Sequence, residues 1–154
     1  MTAESLVKTL LTRSLKITTA ESCTGGLIAA AITDISGASA TFEQGVITYA
    51  NSSKTALLGV ETLLLDTYGA VSEQVAVAMA LGAKEASRAD IAISVTGIAG
   101  PSGGSAQKPV GLVFIGVAYR DIAHAKRFSF SGNRDDIRKQ SVAAALMLAL
   151  STIG

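Results

Sequence analysis

Residues 15–35 read LKITTAESCTGGLIAAAITDI, and this stretch decides the fold. An apolar run from residue 15 predicts a strand that ends near residue 20, and residues 25–35 predict a helix. The turn between them carries hydroxyls and two glycines, which let a ligand approach the backbone. Such a turn can present a nucleophile, and the unpaired N–H groups of a helix start can bind an anion or a developing oxyanion. An ordinary N-cap, formed by Ser22 or Thr24, fits the same residues.

Strand and helix patterns alternate through the rest of the chain, which is typical of an α/β protein. Further helices are predicted at residues 4–13, 51–59, 72–88 and 133–152. Further strands are predicted at residues 45–50 and 91–96, with a strand pair at 110–118 and 125–130. The strand pair indicates that one strand runs antiparallel to an otherwise parallel sheet. We therefore expect a single α/β domain over residues 1–154, with a mixed, mostly parallel sheet.

The composition indicates a folded protein that recognises a small ligand. Of its 154 residues, 49% are hydrophobic and 16% are charged, which excludes a disordered chain and allows one domain with a real core. The 13 basic and 12 acidic residues give a net charge of +1. A chain so close to neutrality lacks the electrostatic footprint of a nucleic-acid-binding protein, so we predict no nucleic-acid partner.

Cysteine, histidine and hydropathy set further limits. Cys23 is the one cysteine and His124 the one histidine, so a disulfide within the chain is impossible and a His/Cys metal site is disfavoured. A Ser-His-Asp triad would have to use His124, which lies in a polar stretch late in the chain. No segment reaches the roughly 18 unbroken apolar residues of a membrane span, and the N-terminus lacks the basic start of a signal peptide. The sequence therefore predicts a cytoplasmic protein with no metal, no cofactor and no membrane partner.

Four polar residues stand at or just after the predicted strands. Ser22, Tyr49 and Thr96 fall at or near the carboxyl ends of three strands, and Lys54 starts the helix after the second strand. Ligands of open α/β sheets bind outside those carboxyl ends. One pocket could therefore contain all four residues.

A serine hydroxyl is a poor nucleophile until a base takes its proton, and lysine is the remaining candidate base in this chain. A free lysine has a pKa of about 10.4, and a helix N-terminus and partial burial would both lower it, because each disfavours the ammonium. Tyr49 and Thr96 could relay a proton or orient the lysine. Non-catalytic roles fit these residues as well: Lys54 could be solvated, Tyr49 could only fill space, and Thr96 could only stabilise its turn.

A second glycine-rich segment, TGIAGPSGGS at residues 96–105, begins a loop that extends to residue 109. The loop is neither a Walker A motif nor a G-x-G-x-x-G fingerprint, although its N–H groups could hold a phosphate. Lys108 could add positive charge at its far end. Arg134 and Arg138 lie one turn apart at the start of the last helix, so they share a face, and an exposed pair of cations fits them equally well.

Five motifs occur in one order along nearly the whole chain, and together they are far more specific than any one of them. They are TAESCTGG at 19–26, GVITYAN at 45–51 followed by Lys54, GAVS at 69–72, TGIAGP at 96–101 and KPVG at 108–111. With these motifs the chain resembles the CinA C-terminal domain family, the nicotinamide-nucleotide amidohydrolases. The resemblance implies a three-layer α/β/α sandwich, a small nucleotide substrate and a homo-oligomer.

The resemblance also implies a reaction and its residues. The expected activity is the deamidation of nicotinamide mononucleotide to nicotinate mononucleotide and ammonia, with Ser22 as nucleophile and Lys54 as its base. Tyr49 and Thr96 would assist proton movement or orientation, and Arg134 is suited to the substrate's phosphate. The predicted substrate-binding residues, taken from the two glycine-rich segments and the resemblance, are Cys23, Thr24, Gly25, Gly26, Gly97, Gly100, Lys108 and Arg134. A catalytically silent nucleotide-binding or interaction module of the same fold is the alternative.

Overall fold

The computed structural model describes residues 2–154, which are organised around one five-stranded sheet. Its strands are β1 (Ile17–Glu21), β2 (Phe42–Ile47), β3 (Ile91–Gly97), β4 (Leu112–Tyr119) and β5 (Ile122–Ser129). The strand order is β2-β1-β3-β4-β5, with β1 parallel to both β2 and β3. Strand β4 is antiparallel to both of its neighbours, so it alone runs against the other four, as the sequence predicts.

Helices cover both faces of this sheet. They are α1 (Thr2–Thr12), α2 (Leu27–Thr33), α3 (Asn51–Leu58), α4 (Thr62–Tyr68), α5 (Glu73–Ser87) and α6 (Arg134–Ile153). Helices α1, α2 and α6 pack on one face through a core that includes Leu6, Ile28 and Ile137. Helices α3, α4 and α5 pack on the other face around Leu58 and Met79. The predicted three-layer α/β/α sandwich is confirmed.

Small residues let α5 and α3 approach their neighbours closely. A Cβ added to Gly116 of β4 would lie 2.6 Å from the carbonyl oxygen of Ala76, so α5 rests directly on the sheet. The hydroxyl of Ser94 donates to the same Ala76 oxygen at 2.6 Å. A Cβ on Gly82 would lie 1.9 Å from the Leu58 carbonyl oxygen, so the end of α3 is seated against α5. These contacts fix the position of the helix that carries Lys54.

Several elements differ from the sequence prediction. Helix α2 begins at Leu27 rather than at residue 25, because Gly25 and Gly26 both adopt positive φ angles, of 57° and 103°, that a helix does not use. Strands β2 and β5 begin at Phe42 and Ile122, each three residues earlier than predicted. Helix α4 was not predicted; it is short, and only Leu65 of its residues is buried.

None of the helices within residues 2–154 is both long enough and apolar enough to cross a membrane.

Candidate active site

A pocket of about 280 Å³ opens where β1 and β3 end. These strands are parallel neighbours with Glu21 opposite Val95, so the residues that follow them emerge side by side. The predicted residues that line the pocket are Ser22, Cys23, Tyr49, Lys54, Thr96, Gly97, Gly100 and Arg134. The structure therefore brings the four predicted catalytic residues to one pocket.

Lys54 enters this pocket from the first turns of α3 and is buried, with 1% of its surface exposed. Its Nζ lies 3.2 Å from Ser22 Oγ. It also donates to two backbone carbonyl oxygens, of Thr48 at 2.8 Å and of Tyr49 at 3.2 Å. The segment that supplies these carbonyls is itself fixed, because the Thr48 N–H donates to the Glu21 carbonyl at 2.8 Å and so prolongs the β1–β2 pairing.

Burial lowers the pKa of Lys54 from its ordinary value of 10.5, because desolvation disfavours the ammonium. Among residues 2–154 no carboxylate pairs with this amine. The neighbouring thiol of Cys23 would favour the ammonium as a thiolate, but burial raises the pKa of Cys23 to about 11. Near neutral pH the thiol is therefore uncharged, and no negative side chain holds a proton on Lys54.

The sequence predicts that the turn at residues 22–26 presents a nucleophile, and we therefore call it the nucleophile turn. It is anchored by Glu21, which directly precedes it. This carboxylate is 1% exposed and accepts hydrogen bonds from Thr24 Oγ1 at 2.6 Å, the Ile28 N–H at 2.8 Å and the Ala29 N–H at 3.0 Å. Glu21 thus occupies the N-terminus of α2, where the helix dipole favours a negative charge. Glu21 can accept these bonds only because the chain folds back on it, since the two N–H donors come seven and eight residues later in the sequence.

This arrangement corrects the expected use of the helix start. Neither Ser22 nor Thr24 caps α2: Gly26 is the N-cap, and the Thr24 hydroxyl donates to Glu21. The first turn of α2 is likewise not free for a ligand, because the Ile28 and Ala29 N–H groups are taken by Glu21. Within the described residues, the N–H groups of Cys23, Thr24 and Gly26 donate to no other residue. Those three groups are the donors that the turn retains.

Arg138 holds the same turn from the side of α6. Its Nε donates to the Cys23 carbonyl at 3.1 Å and its Nη2 to the Thr24 carbonyl at 3.2 Å. It shares a helix face with Arg134, as predicted from their spacing. The two arginines contact different segments, because Arg134 reaches the pocket rim.

Arg134 bridges the two sides of the pocket rim. Its Nη1 donates to the Gly100 carbonyl at 2.9 Å and its Nη2 to the Tyr49 hydroxyl at 3.1 Å. A guanidinium carries five N–H donors, so these bonds leave others for a ligand. Tyr49 is 59% exposed, its hydroxyl meets Arg134, and its contact with Lys54 is made through the backbone carbonyl. The side chain of Tyr49 thus lies at the rim and its carbonyl beside the amine.

Thr96 lies deeper in the pocket and is 1% exposed. Its hydroxyl donates to the Ala70 carbonyl at 2.8 Å, so the Thr96 oxygen can serve the pocket only as an acceptor. The loop that follows it needs glycine at one pocket position in particular. Gly100 has a φ of 75°, and a Cβ there would lie 2.4 Å from Cγ1 of Val110.

Four predicted binding residues lie outside the pocket. Thr24, Gly25 and Gly26 shape the nucleophile turn without lining the cavity. Lys108 lies in a neighbouring shallow cavity of about 400 Å³, and its Nζ donates to the Tyr68 carbonyl at 2.6 Å. Sequence reasoning missed Asn51, which lines the pocket at the first position of α3, and it missed the roles of Glu21 and Arg138. Among residues 2–154 no cluster of three or more His, Cys, Asp or Glu side chains could hold a metal ion.

Comparison with known proteins identifies the family. The family model described as the CinA C-terminal domain matches residues 1–153. The chain belongs to the CinA C-terminal domain family. It is 50% identical over 145 residues to the nicotinamide-nucleotide amidohydrolase PncC of Escherichia coli K12, which covers 94% of this chain and 88% of that protein. It is 56% identical over 136 residues to PncC of Enterobacter agglomerans, covering 87% of this chain and 82% of the relative.

Longer proteins of the family and solved structures match as well. A CinA-like protein of Geotalea uraniireducens is 59% identical over 119 residues, which are 77% of this chain but only 28% of that protein. The crystal structure of the competence/damage inducible protein CihA from Agrobacterium tumefaciens superposes with a TM-score of 0.90 at 45% identity, covering 98% of this chain and 96% of that one. The predicted family, which includes proteins named as amidohydrolases, is confirmed.

Proposed function

We propose that this chain hydrolyses the amide of nicotinamide mononucleotide to nicotinate mononucleotide and ammonia, with Ser22 as nucleophile and Lys54 as general base. The observation that carries the proposal is the 3.2 Å separation of Lys54 Nζ and Ser22 Oγ in a pocket where burial lowers the pKa of the amine. The names of the PncC relatives support the substrate class.

The surroundings of Lys54 suit a base. The carbonyls of Thr48 and Tyr49 occupy two of its N–H groups, and the third bonding direction is toward Ser22 Oγ. In the neutral amine this third direction is the lone pair, which accepts the serine proton. The hydroxyl is thereby converted to a nucleophile without a histidine, by the logic of serine–lysine variants of the catalytic triad.

In the first half of the reaction, Ser22 Oγ bonds to the amide carbonyl carbon while its proton moves to Lys54 Nζ. The carbonyl oxygen becomes an oxyanion, for which the N–H groups of Cys23, Thr24 and Gly26 are the available donors. One such donor is worth about 3 kcal/mol in other enzymes. Collapse of the tetrahedral species re-forms the carbonyl and breaks the C–N bond. Lys54 returns its proton to the leaving nitrogen, which departs as ammonia.

In the second half, water attacks the ester carbonyl of the acyl-enzyme and passes a proton to Lys54. The C–O bond to Ser22 then breaks, Ser22 Oγ recovers the proton, and nicotinate mononucleotide leaves. The protein returns to its initial state with no net change in protons on either side chain. The proton transfers in these steps need only Ser22 and Lys54, whose separation the structure gives.

The rest of the pocket fits the non-reacting parts of the substrate. Arg134 has N–H donors left for a phosphate, and the Gly97–Gly100 backbone lies next to it. Thr96 presents an acceptor oxygen, which suits the N–H₂ of a carboxamide or the departing ammonia. We propose Arg134 and this loop as the phosphate-binding side of the pocket, with Thr96 beside the amide.

The direct test is ammonia release from nicotinamide mononucleotide by the purified protein, compared with its Ser22→Ala and Lys54→Met variants. We expect turnover by the unaltered chain and loss of nearly all of it in both variants. Binding of the nucleotide without turnover would instead favour the silent binding module. Unchanged ammonia release by Ser22→Ala would reject the assigned nucleophile.

A homo-oligomer and a cytoplasmic location stay predictions from the sequence. Light scattering coupled to gel filtration tests the first, and fractionation of cells producing the chain tests the second.

A further inference from the structure

We propose that Arg138 is a positioning residue for the reaction, which acts by fixing the nucleophile turn so that its N–H groups remain available to the oxyanion. This inference rests on the proposed function. Arg138 contacts neither Ser22 nor the pocket, and its partners are the carbonyls of Cys23 and Thr24. Any effect on catalysis must therefore pass through the turn.

The guanidinium is well suited to hold two carbonyls at once. Its Nε and Nη2 point along one edge of a rigid plane and reach consecutive carbonyl oxygens at 3.1 and 3.2 Å. Hydrogen bonds from a charged donor are roughly twice as strong as neutral ones. Glu21 supplies the opposite anchor, by tying Thr24 Oγ1 to the N-terminus of α2. The turn is thus held by a buried anion on one side and a cation on the other.

Fixing the carbonyls also fixes the N–H groups. The peptide bond between Cys23 and Thr24 is trans, so its C=O and N–H point in opposite directions. Because the Cys23 carbonyl points to Arg138, the Thr24 N–H points away from that guanidinium. The Ser22 carbonyl accepts from the Gly25 N–H at 3.1 Å within the turn, so the Cys23 N–H, across the same trans peptide bond, points away from the Gly25 N–H. Loss of Arg138 would free the first of these peptide planes to rotate.

Gly25 is matched to this arrangement. It has a φ of 57°, and a Cβ at this position would lie 3.3 Å from Arg138 Nη2. The turn therefore brings its backbone close beneath the guanidinium, where a side chain would crowd it. Displacing reacting groups by about 1 Å can cost on the order of 100-fold in rate, so a loosened turn would have a large kinetic effect.

A neighbouring residue provides a matched control. Lys139 follows Arg138 on α6, but its side chain is 73% exposed and pairs with Asp135 at 2.7 Å on the outer surface. Lys139→Ala thus removes a cation from the same helix turn without touching the nucleophile turn. Arg138→Lys keeps the charge but replaces the planar fork by a single ammonium, which cannot donate along two parallel directions.

The experiment measures two rates in wild type, Arg138→Ala, Arg138→Lys and Lys139→Ala. The first is steady-state ammonia release from nicotinamide mononucleotide. The second is phosphonylation of Ser22 by a fluorophosphonate, followed by mass spectrometry, in which the Oγ–P bond forms, the P–F bond breaks, fluoride leaves and the serine proton goes to Lys54. The second rate reports the nucleophile turn whichever substrate is natural.

We expect Arg138→Ala to lower kcat and the phosphonylation rate by about 100-fold, with KM within about threefold of wild type. Guanidinium ion at concentrations that leave the protein folded should restore part of both rates, where sodium at the same ionic strength does not. Both rates of Arg138→Lys should lie between those of Arg138→Ala and wild type, and both rates of Lys139→Ala should match wild type. Lower rates at a nearly unchanged KM, with partial rescue by guanidinium, are the results expected when the nucleophile turn is misplaced.

Phosphonylation of Arg138→Ala at a rate within about twofold of Lys139→Ala would overturn the inference, as would a raised KM with unchanged kcat. If Arg138→Ala does not fold, Arg138→Lys decides: unchanged phosphonylation in the folded variant overturns the inference, and a drop at unchanged Tm supports it. A wild-type chain that reacts with the fluorophosphonate but releases no ammonia would reject the proposed substrate. The phosphonylation comparison would still decide the role of Arg138.

Discussion

Two lysines near the carboxyl edge of the sheet make similar hydrogen bonds in different surroundings. Lys54 and Lys108 each donate to backbone carbonyl oxygens, of Thr48 and Tyr49 for the first and of Tyr68 for the second. Lys54 is buried beside Ser22, and its pKa is lowered by desolvation. Lys108 lies in an open cavity with the polar side chains of Glu73 and Arg127.

Burial beside a hydroxyl, and not a bond to a carbonyl, is therefore the feature that suits Lys54 to the proposed role of base. A carbonyl acceptor binds an ammonium more strongly than a neutral amine, so that contact alone cannot lower a pKa. Only Lys54 adds desolvation and a bonding direction that ends on Ser22 Oγ. In the sequence each lysine lies next to a motif, a strand end for Lys54 and a glycine-rich loop for Lys108. Only the fold shows that one of them is buried beside Ser22.

The largest expected effect comes from removing each amine while keeping most of its length. Lys54→Met should lower kcat/KM for ammonia release on the order of 10⁴-fold, since the serine then lacks its base. Lys108→Met should change kcat/KM by less than about threefold, because its amine lies outside the pocket. Steady-state kinetics of both variants measure the two losses of kcat/KM. Equal losses would contradict the proposed difference between the two lysines.

The pH dependence of activity sharpens the same comparison. Lys54 must be neutral to accept the serine proton, so kcat/KM should rise with pH along an ionisation whose pKa lies below 10.5. Lys108→Met should follow the same profile as wild type. A profile recorded from pH 6 to 10 measures this; activity that falls over the range in which Lys54 loses its proton would contradict the role of a neutral amine.

The pH dependence of stability isolates the burial of Lys54. Between the lowered pKa of the folded state and the ordinary 10.5, the unfolded chain binds more protons at this residue than the folded chain does. Raising the pH through that window should therefore increase the free energy of unfolding of wild type relative to Lys54→Met. Urea titrations at pH 7 and pH 10 on both proteins give the difference. If the wild type instead loses stability relative to Lys54→Met between pH 7 and pH 10, folding raises this pKa.

The smallest expected effect lies in the Lys108 region. A Cβ on Gly69 would lie 2.8 Å from Lys108 Nζ, the mobile end of a long side chain, while the φ of 77° strains any other residue. Gly69→Ala should therefore cost about 1 kcal/mol of stability and leave kcat unchanged. Gly100→Ala makes the matched comparison: its φ is 75°, but its Cβ would meet Val110 Cγ1 at 2.4 Å inside the pocket loop. Chemical denaturation should show the larger loss for Gly100→Ala, and equal losses would contradict the steric argument.

The strands and the residues at their ends could be predicted from the sequence because both depend on local pattern. Apolar runs place Ser22 and Thr96 at strand ends, and parallel pairing then brings those ends together. Helix α4 escaped prediction because it is short and buries little, so its sequence carries only a weak apolar periodicity. Local pattern thus predicted the architecture and the shared pocket.

Residues whose role depends on distant backbone could not be predicted in this way. The donors to Glu21 include N–H groups that are free only because α2 begins at Leu27. Arg138 meets carbonyls more than a hundred residues earlier in the chain, at separations of 115 and 114 residues. The Tyr68 carbonyl that binds Lys108 belongs to the helix that the sequence did not predict. The spacing of residues along the sequence predicts none of these contacts.

The most direct test of the central claim is the pKa of the Lys54 amine itself. Lysine labelled with ¹³C at Cε can be followed by NMR from pH 6 to 12, and the Lys54 resonance is identified by its absence in Lys54→Met. A titration midpoint below 10.5 is the predicted result, since burial without a carboxylate partner disfavours the ammonium. A midpoint at or above 10.5 would contradict the account, because the amine beside Ser22 would then remain charged at the pH where the reaction must run.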